Sequence, residues 1–194
     1  MPKTKTKTKT KSKPKSKALP AAPAKRAKKS PPPQKENKYF RVRRSGISGR
    51  GAFATTRIPK GRRVIEYVGE VISHEEAERR YPEDKHSKTH YTTLFTIDKK
   101  RILDAEFEGN DARFINHSCA PNCITVDYDG RIYIETKRTI EEGEELVYDY
   151  KFDRSANPKD DKWQERLYGC QCGAPKCRGT MMVPRRKKKL KSKP

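Results

Sequence analysis

The sequence predicts a mainly β protein of short strands with few short helices, flanked by disordered basic tails. Residues 63–69 alternate as a strand, and residues 145–150, after the Glu-Gly pair at 142–143, form the last strand. Residues 126–133 place an Asp-Gly pair between two further apolar segments, which is the pattern of a tight β-hairpin. At 194 residues, the chain has room for one folded domain and its tails.

The other predicted elements are short as well. Residues 73–76, Ser-His-Glu-Glu, form a capping box that begins a helix, and Pro82 ends it. Residues 91–104 predict a second hairpin, and residues 46–53 form a glycine-rich turn. Such a turn brings backbone amides close to a ligand, or serves as an ordinary loop. The histidines interpreted as surface or capping residues are His74, His86 and His90.

The basic charge of this protein is concentrated in its two ends. Residues 1–38 hold fourteen Lys and Arg against one acid, and residues 184–194 hold seven against none, which leaves 26 bases against 24 acids between them. A Lys/Pro-rich segment with so little to bury is expected to be disordered. It can gather on nucleic-acid phosphates without reading sequence, or serve as a solubilising tail or import signal.

All five cysteines lie between positions 119 and 177. Their odd number and close spacing indicate a metal site in a reducing, intracellular compartment rather than a secreted disulfide framework. No apolar run approaches the ~20 residues that span a bilayer, so no membrane association is expected. The Lys-Thr start lacks the apolar region of a secretory signal.

A run of polar side chains at residues 116–123 points to a functional site. Asn116, His117 and Ser118 follow an apolar pair, and each offers a hydrogen-bonding group. Cys119 has no partner at CxxC spacing, so a metal-ligating role requires cysteines from elsewhere. The chain supplies three of them at Cys170, Cys172 and Cys177.

Five motifs in order carry a family resemblance, and they are Gly49-Arg50-Gly51, residues 66–70, residues 113–119, residues 145–150 and the cysteines at 170–177. Together they resemble a SET-domain protein lysine methyltransferase with a post-SET zinc segment. The resemblance implies a SET fold (β-clip) with a pseudoknot, in which the last strand threads beneath the loop of Asn116 and His117. It divides the chain into a tail at 1–38, the SET domain at 39–152, the post-SET segment at 153–183 and a tail at 184–194.

The same resemblance implies the site residues. The cofactor S-adenosylmethionine would lie against Gly49, Arg50 and Gly51, with Asn116 and His117 completing its pocket. The tyrosines with implied roles in catalysis are Tyr67 and Tyr148, which would line the lysine channel, and Tyr150, which would sit closest to the transferring methyl group.

A structural zinc ion would take the thiolates of Cys170, Cys172 and Cys177 and needs a fourth. Cys119 is the candidate. Cys123 is its competitor, interpreted instead as a small buried apolar residue.

The expected function is therefore S-adenosylmethionine-dependent methylation of a protein lysine. The substrate is a histone or another basic nucleic-acid-associated protein, such as a ribosomal protein, and the tails themselves offer lysines for self-methylation. The alternative is a non-enzymatic architectural protein that binds nucleic acid through its tails. The expected location is the nucleus or chromosome of a eukaryote; in a bacterium it is the nucleoid, or a host cell to which the protein is delivered.

Overall fold

The computed structural model of this protein describes residues 37–88 and 90–184. The predicted tails therefore lie almost wholly outside the described residues. Within them, short strands dominate and only two short α-helices occur, which confirms the mainly β prediction. The strands are β1 Phe40–Arg44, β2 Arg50–Ala54, β3 Arg63–Tyr67, β4 Glu70–Ile72, β5 Leu94–Thr96, β6 Ile102–Asp104, β7 Asn116–His117, β8 Cys123–Tyr128, β9 Arg131–Thr136 and β10 Glu145–Tyr148. The α-helices are α1 His74–Arg80 and α2 Asp161–Leu167, and two 3-10 helices span Asp111–Phe114 and Pro158–Asp160.

The β8–β9 hairpin forms where the Asp-Gly pair predicts it. Asp129 and Gly130 both have positive φ values, 54° and 81°, which is the backbone of the two-residue turn that matches strand twist. β9 pairs on its other side with β3, so the three strands make one antiparallel sheet in the order β3-β9-β8.

Helix α1 begins at the predicted capping box. The Ser73 hydroxyl accepts a hydrogen bond from the amide of Glu76 at 3.1 Å, and the helix ends at Tyr81, directly before Pro82. Ala77 packs from α1 against Ile72 and Ile102 of a second antiparallel sheet, ordered β4-β6-β5. The predicted 91–104 hairpin supplies β5 and β6 of this sheet.

The third sheet positions the site, and it departs from the expected antiparallel pattern. Its order is β1-β2-β10-β7, and β10 pairs antiparallel with β2 but parallel with β7. The last strand therefore lies directly beside Asn116 and His117. It also ends at Tyr148, two residues earlier than predicted, because the backbone turns at Lys151 with a φ of 53° and the amide of Tyr150 bonds to a histidine ring instead of a strand.

The main core lies between these sheets. It is built from fully buried apolar side chains, namely Phe40, Ala52, Ile58, Ile115, Ile134, Ile140 and Leu146. Cys123 belongs to this core and is inaccessible to solvent, in agreement with its interpretation as a small apolar residue. No helix within the described residues is both long and apolar enough to cross a bilayer.

Candidate active site and cysteine cluster

The parallel β7–β10 pairing assembles the site from distant parts of the chain. Asn116 lies opposite Val147, and His117 lies opposite Tyr148. Both site residues are buried, with 8% and 3% of their surface exposed. A strand of only two residues suffices because the neighbouring Ser118 amide adds a hydrogen bond to the carbonyl of Tyr148 at 3.0 Å. The polar run and the last strand are thereby locked side by side.

His117 connects the end of β10 to the cysteines. Its Nδ1 accepts a hydrogen bond from the amide of Tyr150 at 3.1 Å, so the neutral ring carries its proton on Nε2. That Nε2 lies 3.4 Å from the sulfur of Cys119. Burial lowers the pKa of His117 to about 4, although Asp149 opposes this shift. The imidazole is therefore neutral at neutral pH and donates toward sulfur.

Two cavities share Tyr150 and Thr92 in their linings. The smaller, of about 170 Å³, is lined on its polar side by Ser48, Thr92, Asn116 and His117. The larger is a groove of about 720 Å³ between α1, the residues before β5 and the segment after β10. The Tyr150 hydroxyl donates to the carbonyl oxygen of Ile115 at 3.1 Å, so its oxygen keeps its lone pairs as acceptors. Burial raises the pKa of Tyr150, which keeps the phenol neutral.

The three predicted catalytic tyrosines are not equivalent. Tyr148 lines the larger groove, and its ring centroid lies 4.8 Å from that of Tyr150. Tyr67 lines neither cavity; its hydroxyl donates to the carbonyl of Thr93 at 3.1 Å, and its ring packs on Phe95 at 5.4 Å. Phe95 in turn lines the groove. Tyr67 thus supports the groove wall from behind.

The Gly49-Arg50-Gly51 turn supports Asn116 more than it lines a cavity. The residues of this turn region that line the smaller cavity are Ile47 and Ser48. The Asn116 amide nitrogen lies 3.0 Å from the Arg50 carbonyl and 2.8 Å from the Glu145 carboxylate. A Cβ at Gly51 would overlap that carboxylate, so a larger residue there would force the Glu145 side chain to move. Contact between this turn and a cofactor remains a prediction.

Four cysteine sulfurs meet at one point. Cys119, Cys170, Cys172 and Cys177 have their Sγ atoms within 4.8 Å of one another. Cys119 Sγ lies 3.8 Å from Cys170 Sγ and 3.9 Å from Cys177 Sγ. A tetrahedral zinc site with Zn–S bonds of 2.3 Å requires sulfur–sulfur edges of about 3.8 Å. The four thiols therefore fit a structural zinc ion.

Backbone amides around the cluster also suit thiolates. Each sulfur accepts one N–H at 3.3 to 3.4 Å, and the donors are the amides of Cys119, Cys172, Arg178 and Gly179. Such donors favour the ionised form of a ligating sulfur. Burial acts in the other direction and raises the pKa of Cys170 and Cys119. A cation at the centre would resolve this conflict.

A bidentate ion pair ties the C-terminal segment, residues 169–183, to the end of β10. The Arg178 guanidinium donates to both carboxylate oxygens of Asp149, at 2.7 and 3.0 Å. Arg178 also donates its backbone amide to Cys119 Sγ. A closed ring of contacts thus runs from Tyr150 through His117, Cys119, Arg178 and Asp149, and back along the chain to Tyr150.

Comparison with known proteins identifies the fold. The family model of the SET domain matches residues 49–151, which is just over half of the chain. This chain belongs to the SET-domain family. This chain is 45% identical to the histone-lysine N-methyltransferase trr of Drosophila melanogaster over 142 aligned residues, which cover 71% of this chain. It is 45% identical over 139 residues to the H3 lysine-4 specific histone-lysine N-methyltransferase of Schizosaccharomyces pombe, which covers 70% of this chain. It is 40% identical over 154 residues to histone-lysine N-methyltransferase 2D of Homo sapiens, which covers 76% of this chain.

The matched SET region forms a small part of each of these relatives. The chain spans 6%, 14% and 2% of the fly, fission-yeast and human proteins, respectively. The family model begins at Gly49 and ends just after Tyr150, so it covers the polar run and the last strand. The three clustered cysteines lie beyond its end, and the predicted boundaries 39–152 and 153–183 stay predictions.

Several residues of this SET-domain site were not found by sequence reasoning. His90, interpreted as a surface residue, is half-buried, lines the smaller cavity and packs on Tyr168 at 5.5 Å. Phe152 and Tyr168 line the groove, and their rings lie 4.9 Å apart. Asp149 and Arg178 also escaped notice. An aromatic residue two positions after Tyr150, repeating the spacing of Tyr148, was the signal available for Phe152.

Proposed function

We propose that this chain is an S-adenosylmethionine-dependent protein lysine N-methyltransferase that acts on a histone or another basic, nucleic-acid-associated protein. The observation that carries the proposal is that Tyr150 lines both cavities. A methyl donor and a lysine amine must approach a transferring carbon from opposite sides. One tyrosine that faces both cavities suits a point of transfer between them.

Each cavity has the chemistry of one reactant. The smaller cavity offers hydroxyl, amide and imidazole groups for a polar cofactor, through Ser48, Thr92, Asn116 and His117. When bound, S-adenosylmethionine supplies a methyl group on a positively charged sulfur. The larger groove is lined beside Tyr150 by Tyr148, Phe152 and Tyr168. Aromatic faces suit a lysine side chain and its methylated ammonium.

The tyrosines contribute as neutral groups. Burial raises the pKa of Tyr150 and Tyr148, so neither phenol is a base that takes the lysine proton at neutral pH. Loss of water from the lysine amine, beside the positive sulfur of the bound cofactor, instead disfavours the charged ammonium, and the amine loses its proton to solvent as it enters. The Tyr150 oxygen then accepts weak CH···O contacts from the methyl group, because its own hydrogen is held by the Ile115 carbonyl.

Zinc in the four-cysteine cluster would be structural. Four thiolates close the coordination sphere and leave no open position for chemistry. Their role is to hold the C-terminal segment, which contributes Gly169, Gln171 and Met181 to the wall of the smaller cavity. Cys170 belongs to the cysteine cluster and also lines the smaller cavity. Cofactor binding should therefore depend on an intact cluster.

The substrate class follows from charge and from the relatives. The relatives named as histone-lysine N-methyltransferases favour a histone and a chromatin location. The basic tails favour a substrate bound to nucleic acid, since they would raise the local concentration of enzyme around it.

One experiment tests the proposal and its non-enzymatic alternative. The protein is incubated with labelled S-adenosylmethionine and either histones or a cell extract, and labelled proteins and lysines are identified by mass spectrometry. Label is expected on a lysine of a histone or another basic protein, and Tyr150→Phe is the matched control. An unlabelled extract, with intact cofactor binding, would favour the inert architectural protein.

A further inference from the structure

The larger groove carries a charge pattern that the methyl transfer does not require. Its lining includes the carboxylates of Glu78, Glu83 and Asp153 but only one lysine, Lys151. Glu78 and Asp153 are exposed and form no ion pair within the described residues. Glu83 is half-buried and accepts hydrogen bonds from the Tyr168 hydroxyl and the Tyr91 amide. The groove is therefore suited to a segment with several positive charges.

The described chain leaves the fold next to this groove. The Val183 amide donates to the Phe152 carbonyl at 2.9 Å, and Phe152 and Met182 form a parallel bridge. Arg154 fixes the same point from the other side, because its Nε donates to the Val183 carbonyl at 2.9 Å. Phe152 lines the groove, and its ring centroid lies 5.5 Å from that of Tyr150. The described chain thus ends at Pro184, which lines a separate cavity with Arg154 and Arg178, one residue after its pairing with the groove residue Phe152.

Those next residues have the composition that the groove favours. Positions 185–194, Arg-Arg-Lys-Lys-Lys-Leu-Lys-Ser-Lys-Pro, carry seven bases and no acid. An extended chain advances by at most about 3.3 to 3.6 Å per residue, so Leu190 can lie as far as about 25 Å from Val183. The segment is therefore long enough to reach back into the groove. A short tether that spans two sites gives millimolar effective concentration.

We propose that residues 185–194 occupy the acidic groove of their own molecule and compete there with a lysine substrate. That the groove receives the substrate rests on the proposed function. Occupancy by the segment itself rests on the carboxylates, the exit point at Phe152 and the charge of the segment.

A crosslinking experiment tests occupancy without any turnover. A photoreactive amino acid replaces Leu190 in the full chain, and crosslinked peptides are mapped by mass spectrometry. We expect crosslinks within one molecule, to residues 74–96 or 148–153, with a yield independent of protein concentration and reduced by Glu78→Gln with Asp153→Asn. Leu19, a leucine in the N-terminal basic segment, is the matched control position. Crosslinks between molecules, crosslinks elsewhere on the surface, or a yield unchanged by the double substitution would overturn the proposal.

A second measurement tests competition. Replacing Lys187, Lys188, Lys189 and Lys191 by Gln should lower KM for a basic peptide several-fold with kcat unchanged, whereas replacing them by Arg should leave KM high. Four Lys→Gln changes at positions 3, 5, 7 and 9 remove the same charge and should not lower KM. Equal KM values in all variants would overturn competition. The crosslinking experiment needs no cofactor. If the crosslink fails to form while peptide methylation is normal, only this inference is overturned. If no methylation is detected, the proposed function is overturned.

Discussion

Tyr148 differs from the other two site tyrosines in its hydroxyl group. The hydroxyls of Tyr67 and Tyr150 each donate to a backbone carbonyl, whereas that of Tyr148 has no hydrogen-bond partner among residues 37–88 and 90–184. Tyr148 lines the groove, so a hydroxyl without a protein partner can bind water there. Such a water would fill the space that an additional methyl group on the lysine nitrogen needs.

This hydroxyl leads to a prediction about how many methyl groups are added. The isolated protein should make mainly monomethyl-lysine, and Tyr148→Phe should shift the product toward di- and trimethyl-lysine, because phenylalanine cannot anchor the water. Mass spectrometry of a peptide product from both proteins measures the distribution. Tyr67→Phe is the control, since Tyr67 lies behind the groove wall and its loss should leave the product distribution unchanged. Abundant trimethylation by the unmodified protein would contradict the hydration argument.

Substitutions of Tyr150 and Asn116 are expected to affect different steps. Tyr150→Phe should cut turnover on the order of 10²-fold with cofactor affinity nearly intact, because it removes an oxygen that acts on the transferring group. Asn116→Ala should weaken cofactor binding and also lower stability, since its amide bridges the Arg50 carbonyl and the Glu145 carboxylate. Cofactor titration, single-turnover rates and thermal unfolding separate the two patterns. A wild-type rate in Tyr150→Phe would remove the catalytic role of Tyr150.

At the scale of elements, the C-terminal segment is held by the cysteines and by the Arg178–Asp149 pair. These restraints converge on the end of β10, because Arg178 contacts both Cys119 and Asp149. Asp149 and Tyr150 are neighbours in the chain, so displacement of the segment would also shift Tyr150. The short bridges Gly169 to Thr180 and Phe152 to Met182 are its only other strand-like contacts within the described part of the chain.

The cysteine cluster predicts which thiols retain zinc. The protein should bind one zinc per chain, and Cys119→Ser should lose it as readily as Cys172→Ser, because each supplies one of four ligands. Loss of zinc should weaken cofactor binding more than it unfolds the strands. Cys123→Ser should keep zinc but destabilise the core, since its side chain is fully buried there. Metal content and thermal unfolding are the measurements, and zinc loss in Cys123→Ser alone would show that the wrong cysteine was chosen.

The ion pair predicts a coupling between the segment and the active site. Both partners are mostly buried, with 22% and 18% of their side chains exposed, and the pair is bidentate. Arg178→Gln should raise the cofactor dissociation constant roughly tenfold, about 1.4 kcal/mol, with zinc retained. Asp149→Asn should act similarly, and the double variant should cost less than the two single changes added together. Additive effects would show that the two side chains act independently.

For the whole molecule, sequence reasoning succeeded where the pattern is local. The Ser73 cap of α1 and the Asp-Gly turn at residues 129–130 act through neighbours in the chain, and both formed as predicted. The Glu76 carboxylate of the predicted capping box accepts hydrogen bonds from Arg79 and Arg80. The fold class followed from such short segments. Three clustered thiolates predicted a distant fourth ligand, and the family resemblance, which places the Cys119 loop over the active site, favoured Cys119 over Cys123.

Non-local contacts were beyond this reasoning. β7 has two residues, so no periodicity marks it, and its parallel pairing with β10 is fixed only by packing. His90 lines the smaller cavity and packs on the ring of Tyr168, which is distant in sequence. Tyr67 was placed in the lysine channel by the family resemblance alone. The sequence does not indicate which other side chains, here Phe95, pack on its ring.

The last prediction concerns the charge of the whole chain, which is +22 and belongs almost entirely to the ends. Binding to duplex DNA should show little sequence preference and a steep salt dependence, because the contacts are phosphate charges. The slope of log K against log salt is negative, and each lost phosphate contact should reduce its magnitude by about 0.9. Replacing Lys3, Lys5, Lys7 and Lys9 by Gln should therefore reduce the slope by up to about 3.6.

A charge-matched control comes from the folded part. Four Lys→Gln changes in exposed loops, at positions 85, 88, 99 and 100, remove the same charge from surfaces that also carry acids. Their slope should stay close to that of the unmodified protein, because four lysines outside the tails make few phosphate contacts. Fluorescence anisotropy with one duplex at several salt concentrations measures all three slopes. Equal reductions in both variants would mean that net charge, and not the basic tail, sets nucleic-acid affinity.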